Sequence, residues 1–352
     1  MTRAIPRVFV VLALLAASSC SSVAYYGQAV SGQLSLLMKR RPIADVISDP
    51  ATPPEVRDKL RLTLDARRFA SELGLPVGDS YATYADLGRT FVVWNVFAAP
   101  EFSVRLESHC FPVAGCVTYR GYFSEAAARQ AADDARREGF DVYLGGVAAY
   151  STLGWFDDPV LNTFIARSDA RFAGLLFHEL AHKAVYVKGD TTFNESFATT
   201  VERAALARWL SARGDETGYE RYLAAEARRQ AVVRLIIGVR EELDALYQSG
   251  LSAEDMRFAK QRVFDDLRTR YVALGEGHPY SVWMAGELNN AKLGTVAEYH
   301  GWVPAFTVLL ADAGGEMGTF LERVEALARL DKAARNDRLS ALSSRAAVPP
   351  PS

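Results

Sequence analysis

The spacing of apolar positions changes along the chain and predicts a different kind of element in each region. Residues 25–48 and 53–73 carry apolar side chains three and four positions apart, which is typical of helices. Between Phe91 and Tyr150, runs of β-branched and aromatic residues predict strands. A helix from Glu125 to Glu138, capped by Ser124, interrupts them. The predicted strands are Phe91–Ala98, Val104–Leu106, Val117–Phe123 and Val142–Tyr150.

After Pro159 the helical spacing continues almost to the end of the chain. The order of elements therefore predicts an α+β, helix-rich fold with a small mixed sheet. We expect a mixed α/β part over residues 20–165 and a helical part over residues 166–334. A long helical hairpin within the second part is predicted by Tyr219–Tyr247 and a following helix that ends near Leu274. Residues 335–352 end in Ser, Ala and Pro, which predicts a disordered tail.

The first nineteen residues have the organisation of an export signal. Arg3 and Arg7 precede an apolar stretch over Val8–Ala17, which is too short for a permanent membrane span. The following Ser18-Ser19-Cys20 resembles the end of a bacterial lipoprotein signal, which implies cleavage after residue 19 and a lipid on Cys20. The resemblance favours a periplasm-facing lipoprotein of the outer membrane. The alternative is an ordinary secretory signal in which Cys20 has no role.

Composition is that of a folded globular protein, with 49% hydrophobic and 23% charged residues. The formal net charge of −2 gives no basic excess for nucleic acid, so we predict none as a partner. The lipid on Cys20 predicts contact with the membrane, and the sequence leaves protein partners unknown.

Two further cysteines, Cys110 and Cys116, lie six positions apart around a Pro- and Gly-containing segment. In an oxidising compartment, such a pair predicts a disulfide across a bend between two strands. Two buried free thiols are the alternative.

The segment His178-Glu179-Leu180-Ala181-His182 carries the strongest chemical signal. On a helix, residues four apart lie on one face, so both imidazoles can bind one metal ion. Glu179 can then act as the general base on a water molecule. Apolar residues flank the segment on both sides, which favours a buried Zn²⁺ site over a solvated histidine pair.

A third ligand is expected further along the chain. The segment Asn194-Glu195-Ser196-Phe197-Ala198 resembles the N-E-G-F-A segment of the gluzincin metallopeptidases, which implies that Glu195 is the third ligand. Glu202 would then hold a ligating histidine from behind. Spacing leaves an alternative open. Twelve residues separate His182 from Glu195, whereas the larger gluzincin aminopeptidases use a longer interval, closer to the nineteen residues before Glu202.

Other segments extend the resemblance over roughly residues 25–330. Together with the histidine motif, they resemble a bacterial family of lipoprotein aminopeptidases. The segments are Cys116–Phe123, Ala149–Pro159 and Asn289–Leu293. The resemblance implies a zincin-like metallopeptidase whose active-site helix carries residues 178–182 and whose substrates are peptides.

The strand before the histidine motif is a candidate for substrate binding. Gluzincins place an edge strand along the cleft, so the resemblance implies that Gly146, Ala148 and Tyr150 contact the substrate backbone. An ordinary sheet strand with a glycine pair is the alternative. No acidic residue occurs between Gly145 and Leu153 to hold a substrate amino group, so removal of N-terminal residues is not supported by this strand.

Hydrolysis of a peptide bond also needs a hydrogen-bond donor that stabilises the oxyanion formed from the substrate carbonyl. Tyr299 is the candidate we favour, with His300 and Tyr150 as others; a purely structural tyrosine is the alternative. The sequence thus predicts a zinc peptidase of the cell envelope, and the family resemblance implies aminopeptidase action as one form of this activity. A non-catalytic zinc-binding module and an amidase acting on cell-wall peptides remain as alternatives.

Overall fold

A computed structural model of the protein describes residues 25–111, 115–149 and 157–346, and for residues 298–300 it describes the backbone alone. Within these ranges the fold is helix-rich with small sheets, in agreement with the predicted α+β class. Cys20 and Tyr150 lie outside the described residues.

The first helices cover one side of the core. Helix α1 spans residues 25–38 and is followed by strand β1 (Arg41–Pro42), helix α2 (Ile43–Ser48) and helix α3 (Pro54–Glu72). The predicted helix over residues 25–48 is therefore interrupted. Pro42 is extended, with ψ at 136°, and its ring nitrogen has no hydrogen to donate to a helix.

The main sheet has three antiparallel strands. They are β3 (Val93–Pro100), β6 (Arg120–Tyr122) and β7 (Phe140–Val147), in the order β6-β3-β7. The register of β3 and β7 runs from Val93 opposite Val147 to Pro100 opposite Phe140. Helix α4 (Glu125–Arg137) packs on this sheet through Ala128 and Ala132, and its N-cap Ser124 accepts a hydrogen bond from the Ala127 amide. This order leaves β7 at an edge of the sheet.

Two smaller sheets complete the strands. Strand β2 (Thr83–Ala85) pairs with β1 and, in parallel, with β8 (Val160–Leu161). Strands β4 (His109–Phe111) and β5 (Gly115–Val117) form a hairpin in which Cys110 and Cys116 are joined by a disulfide. The predicted strand Val104–Leu106 is wrong, because these residues form no ladder. Val104 is buried instead, and its carbonyl accepts hydrogen bonds from Arg240.

The rest of the described chain is helical. The helices are α5 (Asn162–Ile165), α6 (Asp169–Ala184), α7 (Thr191–Ala212), α8 (Glu216–Tyr247), α9 (Ala253–Ala273), α10 (Ser281–Ala285), α11 (Asn290–His300), α12 (Val303–Asp312), α13 (Met317–Ala328) and α14 (Lys332–Ala346). Helices α8 and α9 form the predicted hairpin, and Ser252 caps α9 by accepting from the Asp255 amide. Among the described helices, none combines the length and apolar character needed to cross a membrane.

The largest hydrophobic core draws residues from both sides of the predicted boundary at residue 165. Leu60 and Ala66 of α3 belong to it together with residues of α6, α7, α12 and α13. Its largest fully buried side chains include Phe172, Phe177, Phe193, Phe197, Phe306 and Phe320. This core fixes α6 and α7 against each other, and these two helices carry the predicted site.

The disordered tail predicted over residues 335–352 is wrong for residues 335–346, which continue helix α14. The helix packs against α12 and buries Leu339 completely. Arg335 is also buried, and its Nη2 lies 2.7 Å from Oδ2 of Asp190. Tertiary contacts, which the polar and small-residue composition does not reveal, therefore order this segment.

Candidate metal centre

Helix α6 presents the histidine motif to a cleft while its other faces are buried. Phe172, Phe177 and Leu180 of this helix are fully buried in the largest core. One helical turn separates His178 from His182, and their ring centroids are 5.0 Å apart. The core thus holds both imidazoles on one face of a rigid helix.

Helix α7 brings two carboxylates to the same place. Its N-cap Asp190 accepts a hydrogen bond from the Phe193 amide. Asn194 is buried, and its side chain both accepts from the Val187 amide and donates to the Val187 carbonyl, each at 2.8 Å. These bonds fix the short connection between α6 and α7, so Glu195, the fifth residue of α7, faces the histidines.

The structure brings together His178, His182 and Glu195. The Nε2 atom of His178 lies 3.3 Å from Oε2 of Glu195, and Nε2 of His182 lies 3.7 Å from Oε1. One donor atom from each of the three residues lies within 4.8 Å of the others. Two imidazole nitrogens and one carboxylate oxygen are a donor set suited to a catalytic zinc ion, so these residues fit the predicted metal.

Glu202 lies on the other side of His178. Its Oε2 is 3.2 Å from Nδ1 of His178, the ring nitrogen that points away from Glu195. Gly174, one turn before His178 on α6, allows this approach, because a Cβ there would lie 3.3 Å from Oε1 of Glu202. Glu202 therefore contacts the far side of the His178 ring and lies outside the group of His178, His182 and Glu195 that could hold a metal ion.

Burial and the charges of neighbouring groups together shift the pKa values of the clustered side chains. Burial lowers the pKa of His182 to about 4, which keeps its imidazole neutral and able to bind a metal. Burial opposes protonation of His178, but the hydrogen bonds and charges of Glu195 and Glu202 raise its pKa. For Glu179, burial raises the pKa to about 7, against the opposing charge of His178. A carboxyl group with a pKa near neutrality suits proton transfer.

An arginine–glutamate network lies behind Glu202. Glu226 of α8 pairs with Nε of Arg203 at 2.8 Å and with Nη2 of Arg229 at 2.8 Å. Burial opposes ionisation of Glu202, but its hydrogen bond to His178, the His178 charge and these two arginines lower its pKa. This network was not predicted from the sequence, because Arg203 lies on α7, Glu226 and Arg229 lie on α8, and the three form no known motif.

The cluster opens into a cleft of about 1740 Å³. Helices α1, α6, α7 and α8 line it together with Gly146 at the end of β7 and Ala148 just after this strand. The predicted substrate strand therefore borders the cleft. Gly146 also has a packing role, because a Cβ at this position would lie 2.3 Å from the Phe91 ring.

The side chains of the predicted oxyanion donors lie outside the part of the chain that the structure describes. Tyr299 and His300 are in the last turn of α11, where the backbone alone is described, and Tyr150 lies between described segments. The described tyrosines that line the cleft include Tyr186 and Tyr222. Burial and then the charge of Glu195 raise the pKa of Tyr186, which indicates that its hydroxyl is near the cluster. The position of Tyr186, four residues after His182, is the sequence signal that could have identified it.

Comparisons with known proteins give one match. No curated protein and no solved structure was found to be similar to this chain. A family model described as "Putative aminopeptidase" matches residues 24–339, which include every residue of the metal cluster. Because this match covers most of the sequence, the chain belongs to that aminopeptidase-like family.

Proposed function

We propose that the protein is a zinc-dependent peptidase of the cell envelope with a zincin-like active site. The observation that carries this proposal is the cluster of His178, His182 and Glu195 at the floor of a large cleft, with Glu179 beside it. Among the described residues, three side chains of this cluster are close enough together to bind one metal ion. Three protein ligands and an open cleft are typical of catalytic zinc sites, whereas structural sites use four protein ligands.

In this proposal, each residue of the site has a separate role in peptide hydrolysis. When bound, a zinc ion supplies Lewis-acid activation of water and of the substrate carbonyl. Glu179 accepts the proton that the attacking water loses and transfers it to the departing amine. Glu202 holds the His178 ring from behind, and Glu226 with its two arginines holds the surroundings of Glu202. A tyrosine hydroxyl supplies the oxyanion donor, from Tyr299 or from the cleft-lining Tyr186.

The edge of β7 is the proposed site for the substrate backbone. Strand β7 is the outer strand of its sheet, and its last residues border the cleft. An extended peptide can add to such an edge through main-chain hydrogen bonds. Binding of this kind favours cleavage within an extended segment. The described residues proposed to contact the substrate are Gly146 of β7 and Ala148 just after the strand.

Location in the envelope is proposed from the sequence alone. Residues 1–19 would be removed, and a lipid on Cys20 would anchor the protein facing the periplasm. Stable anchoring by lipid requires more than one acyl chain, which a lipoprotein cysteine supplies. Cys20→Ala should therefore release the protein from the membrane fraction or block its processing. Normal processing and membrane retention of this variant would contradict the anchor.

The activity can be tested by incubating purified protein with a peptide library and identifying the products by mass spectrometry. We expect hydrolysis that a chelator abolishes and added zinc restores, because two histidines and one carboxylate need the metal to activate water. Cell-wall peptides belong in the library, since an amidase would use the same chemistry. A zinc-loaded protein that cleaves none of these substrates would favour the non-catalytic module.

A further inference from the structure

The cleft carries charged groups beyond the metal cluster, and its acidic groups already have partners. Asp169 pairs with Lys59, Asp215 accepts a hydrogen bond from the Gly218 amide, and Glu226 pairs with Arg203 and Arg229. Glu195 and Glu202 contact the histidines, and Glu179 is the proposed base. Among the residues described along this cleft, these leave no carboxylate unengaged to receive the amino group of a substrate.

Several basic groups of the same cleft are not engaged. Arg167, Arg171 and Arg228 line the cleft and are exposed. Within the described ranges, none of their guanidinium groups has a hydrogen-bonding or ion-pair partner. The available charge next to the metal cluster is therefore positive.

Arg171 lies on the same face of α6 as the metal ligands. Arg171, Leu175, His178 and His182 follow one another at helical spacing, and all four line the cleft. Arg171 lies seven positions before His178, which places it about 10 Å away along the helix axis. An extended peptide covers this distance in about three residues.

Arg167 lies close enough to Arg171, Glu179 and Glu202 for their charges to shift its pKa. Burial of part of its side chain and then the Arg171 charge lower the pKa of Arg167, whereas the charges of Glu202 and Glu179 raise it. Two neighbouring guanidinium groups thus face the cleft beside the site. Their planar donors match the two oxygens of a carboxylate.

We propose that Arg167 and Arg171 bind a carboxylate of the peptide substrate, about three residues from the cleaved bond. This proposal rests on the proposed peptidase function and names its substrate class: peptides that carry either an acidic side chain or a free C-terminal carboxylate at this distance. The proposed binding does not involve a free N-terminal amino group of the peptide. The same cleft would therefore select acidic peptides, or short peptides by their C terminus.

Binding can be measured without hydrolysis by using zinc-loaded Glu179→Gln protein and isothermal titration calorimetry. The probes are alanine-based pentapeptides that carry Glu or Gln at each position in turn, each with a free or an amidated C terminus. We expect peptides with a carboxylate to bind at least about tenfold more tightly than the amidated Gln peptides. Dependence on Glu identifies an acidic side chain as the recognised group, and dependence on the free C terminus identifies the terminal carboxylate.

Replacement of the arginines tests the assignment directly. In the Glu179→Gln background, Arg167→Gln with Arg171→Gln should remove the preference for carboxylates, whereas Arg262→Gln, an exposed arginine of α9 away from the cleft, should retain it. Equal affinity for all probes, including no binding of any, would overturn the proposal, and so would a preference that survives the double replacement. Failure of wild-type protein to hydrolyse any peptide would instead contradict the proposed function and leave a measured binding preference valid.

Discussion

Two glutamates of α7 contact the same histidine, but from opposite sides. Glu195 lies near Nε2 of both His178 and His182, whereas Glu202 lies near Nδ1 of His178. A carboxylate in the first position can bind the metal, and one in the second can only orient the ring. The two residues should therefore differ in what their loss does to the metal.

Replacement of each glutamate by alanine separates these roles. Glu195→Ala should lose zinc, because two histidines alone hold the ion poorly. Glu202→Ala should keep the three ligands but bind zinc about 10–100-fold more weakly. Metal content and zinc affinity of the purified variants provide the measurement, with Glu220→Ala, an exposed residue of α8, as the control. Retained zinc in Glu195→Ala together with loss in Glu202→Ala would make Glu202 the ligand.

At this scale the sequence predictions came from local motifs. The histidine motif pointed to His178, Glu179 and His182, and the Asn194–Ala198 segment pointed to Glu195. The structure brings His178, His182 and Glu195 together. Spacing alone pointed to Glu202, because the short connection fixed by Asn194 could not be foreseen. Arg167 and Arg171 form no motif, and their importance depends on which other charges already have partners.

At the scale of elements, α14 supports the helix that carries Glu195. Arg335 of α14 donates to Asp190 Oδ2 through Nε at 3.1 Å and through Nη2 at 2.7 Å. Asp190 is the N-cap of α7, and both side chains of this ion pair are almost completely buried. The segment predicted as a tail thus holds the start of the helix that carries Glu195.

Loss of Arg335 should strongly destabilise the protein. Arg335→Ala leaves the Asp190 charge buried without its partner, which typically costs about 3–5 kcal/mol in the free energy of unfolding. The exposed Arg338 of the same helix provides the control, and Arg338→Ala should change stability by less than about 0.5 kcal/mol. Urea unfolding of the two variants measures both values. Equal stability of the two would show that α14 does not support α7.

The elements themselves were predictable where the apolar spacing was long and regular. Helices α3, α4, α8 and α9 lie close to their predicted ranges. Val104–Leu106 was predicted as a strand because it carries apolar residues. These residues serve packing, and only the tertiary contact with α8 distinguishes a packed loop from a strand. Helix α14 was missed for a similar reason, since its order depends on burying Arg335 and Leu339.

At the scale of the whole molecule, the cleft joins the sheet and the helices into one site. Strand β7 provides one wall, α6 and α7 provide the metal cluster, and α8 provides the charged wall behind Glu202. The sequence predicted a substrate strand and a metal helix separately. Their position on one cleft depends on packing between segments far apart in the chain, which the sequence pattern did not reveal.

The central claim is that the cluster holds a zinc ion for hydrolysis, with Glu179 as the base. The most direct measurement determines both zinc content and peptide hydrolysis for wild-type protein and for Glu179→Gln. Because Glu179 is outside the three-residue donor group, the variant should retain close to the wild-type zinc content and lose hydrolysis. Hydrolysis at the wild-type rate, or loss of zinc from this variant, would contradict the account.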